Sequence, residues 1–430
     1  MVRLKEHKIE TYNKHIELAH PPLKAYIPLS QHIGKICSPL VQPGDIVLRG
    51  QKIAAAENGV YVPVHASISG KVLAIEECPH PILGRCKAVI IENNGKDASN
   101  IPPPKTHADT VQLTPEQIRS CVFEAGIVGM GGASFPTYLK LTPPKTVHTL
   151  IINGAECEPY LTGDYRLMKE KTGEILAGIE LISFCLGVKT IYIAIEDNKP
   201  DAIEQFKIYA SSLEWTRKRG LSIKTLKSNY PQGGEKQLIK NITKKEVPRQ
   251  KLPYDIGIVV VNVATVFAVF EAVYKNKPLY ERVVTVTGGC LSNPQNILAR
   301  VGTPIKELIE ICGPLKEQPS SIIMGGPMMG IAQASDMVPI IKSSTGIVLL
   351  NETETRNREE NACIRCGACI KECPTGLMPC LINLASEKEN WDIAKSYGCL
   401  DCMECGICTF VCPSNRKIVQ SIKRAKLELK

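Results

Sequence analysis

The chain has 430 residues, 44% hydrophobic and 22% charged, with a net charge of +9 from 52 basic and 43 acidic side chains. That length suggests roughly two to four domains of ordinary globular composition, which excludes a disordered or low-complexity chain. The charge excess is mild, and no basic stripe interleaved with aromatics supports nucleic-acid binding.

The first ten residues, MVRLKEHKIE, carry no apolar core of a signal peptide. No run reaches the roughly 18 charge-free apolar residues of a membrane span. The longest candidate, Ile256 to Phe270, contains Asn262 and Thr265 and reads as a buried strand followed by a helix. These features predict a cytoplasmic protein. In such a compartment 18 cysteines, ten of them between Cys363 and Cys412, point to metal rather than disulfides.

Residues 1–28 read as a polar N-terminal arm broken at Pro21-Pro22. From 29 to 94, turn signals recur at Pro43-Gly44-Asp45, Arg49-Gly50-Gln51, Glu57-Asn58-Gly59 and Ser69-Gly70-Lys71. That spacing predicts a small β sandwich or barrel. The layout resembles lipoyl/biotinyl-type barrels, but Lys71 lacks the sequence context of a modified lysine, so the barrel is expected to be structural. Residues 95–114, with Pro102-Pro103-Pro104, read as a linker.

Between 115 and 278 the pattern alternates. Helices are expected over 115–125, 173–186, 200–212, 234–242 and 265–275, and strands over 147–152, 189–195, 222–227 and 256–262. This predicts a Rossmann-like α/β domain with a mostly parallel sheet. Residues 279–345 read as a small α+β domain, with strands at 283–287 and 321–324 and a helix at 304–311. The charged stretch 351–360 reads as a linker or helix start within a final module, 346–430.

That module contains Cys363-x2-Cys366-x2-Cys369-x3-Cys373-Pro374 and Cys402-x2-Cys405-x2-Cys408-x3-Cys412-Pro413. The spacing is that of bacterial two-cluster ferredoxins, in which the fourth cysteine of each run ligates the other cluster. Cluster one is assigned Cys363, Cys366, Cys369 and Cys412. Cluster two takes Cys402, Cys405, Cys408 and Cys373. Cys380 and Cys399 fit neither run and read as spare thiols. A zinc site would need only CxxC pairs.

One-electron clusters need a two-electron converter to meet a metabolic donor, and flavin is the usual one. Gly129-x-Gly131-x-x-Ser134 fails as a Rossmann fingerprint because it follows a helix rather than a strand. The stretch 126–137 reads instead as a glycine-rich loop whose backbone can approach a phosphate or a planar ring.

Four motifs in order, GGASFPTYLKL, NGAECEP from Asn153, YPQGGEK from Tyr230 and NVAT from Asn262, resemble the FMN- and NADH-binding subunit of respiratory NADH dehydrogenase. With the cluster pair, the closer resemblance is to the RnfC family, the C component of Rnf complexes, which are ferredoxin:NAD oxidoreductases of bacterial membranes. The resemblance implies a barrel, a flavin domain, a β-grasp domain and a two-cluster ferredoxin-like α domain, in that order. It implies that Gly129, Gly131, Gly132, Asn153, Asn262 and Thr265 hold FMN. Phe135, Lys140, Glu158 and Glu235 would face NADH or shape its pocket. Glu156 and Tyr230, in the same motifs, would also bind the cofactors; their other readings are a solvated loop acid and a packing residue. Ser134, Ala155 and Gly234 depart from the respiratory pattern. The stretch Gly325–Gly330 is typical of the family, without a chemical role.

On this reading no side chain is a catalyst, because hydride passes to bound FMN. The expected partners are NADH and the other Rnf subunits, membrane and ferredoxin-like. The expected place is the cytoplasmic face of the membrane, held peripherally. The terminal stretch from Arg416, with six basic residues and one acid, could form a basic amphipathic helix that touches a partner or the membrane. The competing readings are a soluble donor to a proline or cobalamin reductase, and a non-enzymatic iron–sulfur carrier or scaffold.

Overall fold

The computed structural model describes residues 2–355 and 359–429; part of the charged stretch 351–360 therefore lies outside the described residues. Four strands form one parallel sheet in the order Leu221–Leu226, Thr190–Glu196, Thr149–Gly154, Ile258–Asn262. Their near-continuous apolar runs are what a sheet covered on both faces requires. Leu150, Ile152, Val259 and Val261 pack into one core with the helices Thr172–Leu186 and Val263–Tyr274. Ile151, Val260 and Ile258 face the other way, onto Leu238 and Ile239 of the helix Glu235–Thr243. In chain order the sheet reads third, second, first, fourth. The order reverses between Thr149–Gly154 and Ile258–Asn262, where Asn153 stands opposite Asn262.

Residues 24–93 build two small antiparallel sheets around Ala25, Ile27, Ile53, Val72 and Ile91. The turn expected at Ser69-Gly70-Lys71 is not there. Gly70 opens an 11-residue strand, Gly70–His80, paired with Gly84–Asn93. Lys71 lies opposite Ile46 and Glu92, away from the hairpin end near residue 82, so it does not have a carrier lysine's position.

The third unit is a six-stranded mixed sheet: Ile16–Leu18, Gln295–Arg300, Glu281–Thr287, Gly346–Leu350, Ser321–Met324 and Ile331–Gln333. Its first strand comes from the segment expected to be a polar arm. That expectation is corrected. Val2 bridges to Tyr230, the Lys8 ammonium is buried against the Glu156 carbonyl, and Tyr12 stacks on Tyr165. Lys24–Pro28 then enters the barrel sheet. The polar residues of the arm find partners more than a hundred positions away, which local pattern does not reveal. The 95–114 segment likewise contains a short helix, His107–Val111, closed by a Thr106/Asp109 capping box.

In the cysteine module the helix Ile418–Glu428 turns Ile418, Val419, Ile422 and Ala425 into the core beside Ile382 and Ala394. Lys426 binds the Cys402 carbonyl at 2.8 Å and pairs with Glu404; Arg424 pairs with Glu389. The apolar face expected to meet a membrane is spent inside the module. Among the described residues no helix is long and apolar enough to cross a membrane.

Candidate functional site

In open α/β sheets, ligands bind beyond the carboxyl ends of the strands where the strand order reverses. Here that crevice lies between Asn153 and Asn262. Asn262 caps the helix Val263–Tyr274, accepting from Ala264 N at 2.9 Å and Thr265 N at 3.3 Å. Its amide donates to Asp164 at 2.7 Å. A capped helix start with positive dipole is a natural seat for an anionic group.

The glycine-rich loop lies over this helix start. Met130 N donates to Thr265 Oγ1 at 2.9 Å, and Gly129 N donates to the Phe135 carbonyl at 2.8 Å. A Cβ on Gly131 would stand 3.2 Å from Asn262 Cβ, so the loop approaches Asn262 closely. Gly131, Gly132 and Ala133 are exposed, and Gly132 has φ +126° with open space where a side chain would be. Phe135 is half-buried. Bare backbone facing open space beside two polar strand ends fits the flat ring and phosphate of FMN.

Lys140 binds Glu235 at 2.8 Å and the Val260 carbonyl at 2.9 Å, tying the loop to the start of the helix Glu235–Thr243. Asn153 donates to the Gly233 carbonyl at 2.9 Å. Glu156 caps the helix Gly163–Glu170, accepting from Asp164 N at 2.9 Å; burial raises its carboxyl above the ordinary range. It is thus a structural cap rather than a solvated loop acid. Glu158 accepts from Met328 N at 3.0 Å and Met329 N at 2.8 Å, and burial pushes it up to about 7.

Tyr230 is 2% exposed and donates to the Cys405 carbonyl at 2.8 Å. It therefore joins the flavin region to the second cysteine run. Gln237 donates to the Pro374 carbonyl at 2.8 Å, and Met403 packs directly over Gly234. At Gly234 the room is taken by Met403, whose Cε would lie 2.5 Å from a Cβ there.

Cys373, Cys402, Cys405 and Cys408 line one pocket with Leu377, Ile407 and Ile422. Each run repeats the same turn: Arg365 and Glu404 have φ +57° and +59°, Gly367 and Gly406 φ +74° and +77°. Glu404 N and Leu377 N point at the Cys402 and Cys373 sulfurs, at 3.3 and 3.4 Å. Burial pushes the Cys405 thiol up to about 11 and Cys408 up to about 12, so their thiolates call for a bound cation to compensate them. Four cysteines around one apolar pocket fit a four-iron cage, whose ligands surround a volume rather than a point. Cys363 and Cys412 are half-buried, Cys369 is buried and Cys366 is exposed. The short helices that follow the two glycines, Ala368–Lys371 and Ile407–Phe410, pack together. Cys380 lies against Cys369 rather than apart, while Cys399 is wholly buried in the module core.

The sequence motifs assign no role to several residues of this site. Asp164 orients Asn262, Cys157 accepts from Gly233 N at 3.4 Å, and Met328 and Met329 hold Glu158. Only the glycines flanking the two methionines marked that last stretch.

The family description of a Nuo51 FMN-binding domain matches residues 122–271, and that of an RnfC barrel sandwich hybrid domain matches 2–96. An SLBB domain matches 283–332 and a 4Fe-4S binding domain 358–377. The chain is 46% identical, over 97% of its length and 91% of the relative's, to the C component of the proton-translocating ferredoxin:NAD(+) oxidoreductase complex of Clostridium ljungdahlii. It is 41% identical, over 95% of its length and 91% of the relative's, to the Na(+)-translocating counterpart of Acetobacterium woodii. Among solved structures, a chain of an NAD+-reducing [NiFe]-hydrogenase shares the fold at a TM-score of 0.51 and 18% identity; the match covers 74% of this chain and 61% of that one. The protein is thus a multidomain α/β chain with a barrel-sandwich hybrid N-terminus, an FMN-binding domain and a C-terminal 4Fe-4S domain, and it belongs to the RnfC family, the C component of ion-translocating Rnf oxidoreductase complexes.

Proposed function

We propose that the chain moves electrons between NAD(H), FMN and two 4Fe–4S clusters, as the peripheral subunit of a membrane ferredoxin:NAD oxidoreductase complex coupled to ion translocation. The other subunits of that complex are its partners, and the cytoplasmic face of the membrane is its place. The observation that carries this reading is the joint at Tyr230, which binds the Cys405 carbonyl while its loop lies against Asn153. An electron route needs a flavin crevice and a cluster pocket side by side, and this joint ties the two.

FMN, when bound here, would supply the conversion between a two-electron hydride donor and one-electron clusters. Gly129, Gly131 and Gly132 would hold the ring, and the helix start capped by Asn262, with Thr265 holding Met130, would take the phosphate. Lys140 and Glu235 fix the crevice wall. Phe135, Glu158 and Glu235 shape the nicotinamide side; Glu156 holds the loop between them from below. No proton-abstracting base is required. Cluster two takes Cys373, Cys402, Cys405 and Cys408, and cluster one takes Cys363, Cys366, Cys369 and Cys412. The finer domain reading is a lipoyl/biotinyl-like barrel at 29–94 joined by Lys24–Pro28, a Rossmann-like flavin domain at 115–278, a β-grasp domain at 279–345 that also takes the strand Ile16–Leu18, and a ferredoxin-type module at 346–430.

The test is to purify the protein without oxygen, quantify FMN and iron, and mix it with NADH. Bleaching of the flavin band, with about eight irons per chain, is the expected result. Flavin that NADH leaves oxidised removes the nicotinamide part of the reading. Clusters without any FMN binding would favour a carrier or scaffold.

A further inference from the structure

The loop Gly325–Gly330 is the motif that the functional reading leaves without a role. It leaves the strand Ser321–Met324, and Gly325 N donates to the Gly346 carbonyl at 2.7 Å. Gly330 N closes it onto the Gly326 carbonyl at 2.8 Å. It is a short rigid projection from the six-stranded sheet.

Both of its sides are occupied. Toward the flavin domain, Met328 N and Met329 N hold the Glu158 carboxylate at 3.0 and 2.8 Å. Gly326 is buried so closely under Glu158 that a Cβ there would lie 2.2 Å from Oε2 and 2.6 Å from Glu158 Cβ. Toward the cluster module, a Cβ on Gly406 would lie 2.5 Å from the Met328 carbonyl oxygen. Gly406 stands between Cys405 and Cys408. The Met328 side chain packs in one apolar cluster with Tyr230, Cys405, Ile407, Cys157 and Met403. Three units of the fold thus meet at two missing side chains and one carboxylate.

We propose that this loop is a spacer that sets the position of cluster two relative to the flavin crevice, with Gly326 and Met328 as its positioning residues. The proposal rests on the functional reading above for the identity of the two redox sites. Its geometry stands on the backbone contacts of Met328, Met329 and Gly326 with Glu158. Pressed from one side by Glu158 and from the other by the Cys405–Gly406 backbone, the loop fixes how far the two domains approach. Transfer between held groups depends on how they are positioned, so a loop that sets their separation also sets the rate.

The test uses the anaerobic holoprotein and two variants, Gly326→Ala and Pro327→Gly. The first forces Glu158 and the loop apart; the second frees the loop's backbone without adding atoms. FMN and iron are quantified, NADH is mixed in by stopped flow, and amide deuterium exchange is read on peptides covering 156–160 and 402–408. The expected result is unchanged FMN and iron, a flavin-bleaching phase within about threefold of the parent, and a cluster-reduction phase slowed roughly tenfold. Both peptides should exchange faster. Cluster reduction that keeps pace with the parent overturns the proposal, as does slowing confined to the flavin phase. Loss of iron or FMN from both variants would make the loop a general stabiliser and overturn it too. Should NADH fail to bleach the parent's flavin, the functional reading falls by itself, and faster exchange in both peptides of the variants still decides for the spacer, unchanged exchange against it.

Discussion

The flavin crevice and the cluster-two pocket are built in opposite ways. The crevice is open and polar and gathers residues from 129 to 265, each held by a different element. The pocket is mostly apolar, and all four of its cysteines come from 373 to 408, three of them within seven positions. A cluster can be wrapped by a short chain because its ligands bond to it directly. A flavin is held by backbone and dipoles, which only an assembled sheet can bring together. The difference predicts that single side chains matter most in the pocket and least in the crevice.

Cys405→Ser tests the larger end of that scale. It should remove about half the iron while NADH still bleaches the flavin; iron analysis with flavin absorbance reads both. Lys140→Met comes next. It breaks the ties to Glu235 and the Val260 carbonyl, and FMN should dissociate roughly tenfold or more readily, as expected for charged hydrogen bonds lost. Equilibrium dialysis measures this. Equal loss of FMN in Glu235→Gln would show that the pair acts as a unit.

Asn262→Ala should cost about 1 kcal/mol, the usual worth of an N-cap, and it also leaves the buried Asp164 without its amide partner. A lowered thermal midpoint with intact clusters is the expected signature. A last effect concerns pH. Burial lifts Glu158 from its ordinary value of 4.5 to about 7. Between those values the folded chain keeps a proton that the unfolded chain has released. Stability therefore falls as pH rises across that window and levels off above it. Glu158→Gln should remove that part of the slope. Glu156 and Asp164, raised by burial as well, keep theirs, so the difference between parent and variant midpoints is the readout.

The same contrast explains what could be read in advance. The strands 149–154, 190–196, 221–226 and 258–262 lie within about two residues of expectation, because buried parallel strands announce themselves as apolar runs. The cysteine runs were legible from spacing alone. The arm was not: Lys8, Tyr12 and Ile16 look like a polar terminus until Glu156, Tyr165 and Asn296 are brought to them. The turn at Gly70 misled because a glycine in a strand can mark a close backbone approach rather than a reversal. The terminal helix misled because its amphipathic pattern does not say whether protein or lipid covers the apolar face. Asp164 carries no motif, and the motif around Met328 and Met329 names no role, because these roles lie in positions, not in residue type.

The most direct test of the route is the order in which the clusters fill. Holoprotein mixed with NADH and frozen within milliseconds would be read by electron paramagnetic resonance, with the two cluster signals assigned by Cys366→Ser and Cys405→Ser. The joint at Tyr230 predicts that the cluster of Cys373, Cys402, Cys405 and Cys408 gains its electron first. First reduction of the cluster of Cys363, Cys366, Cys369 and Cys412 would contradict the account.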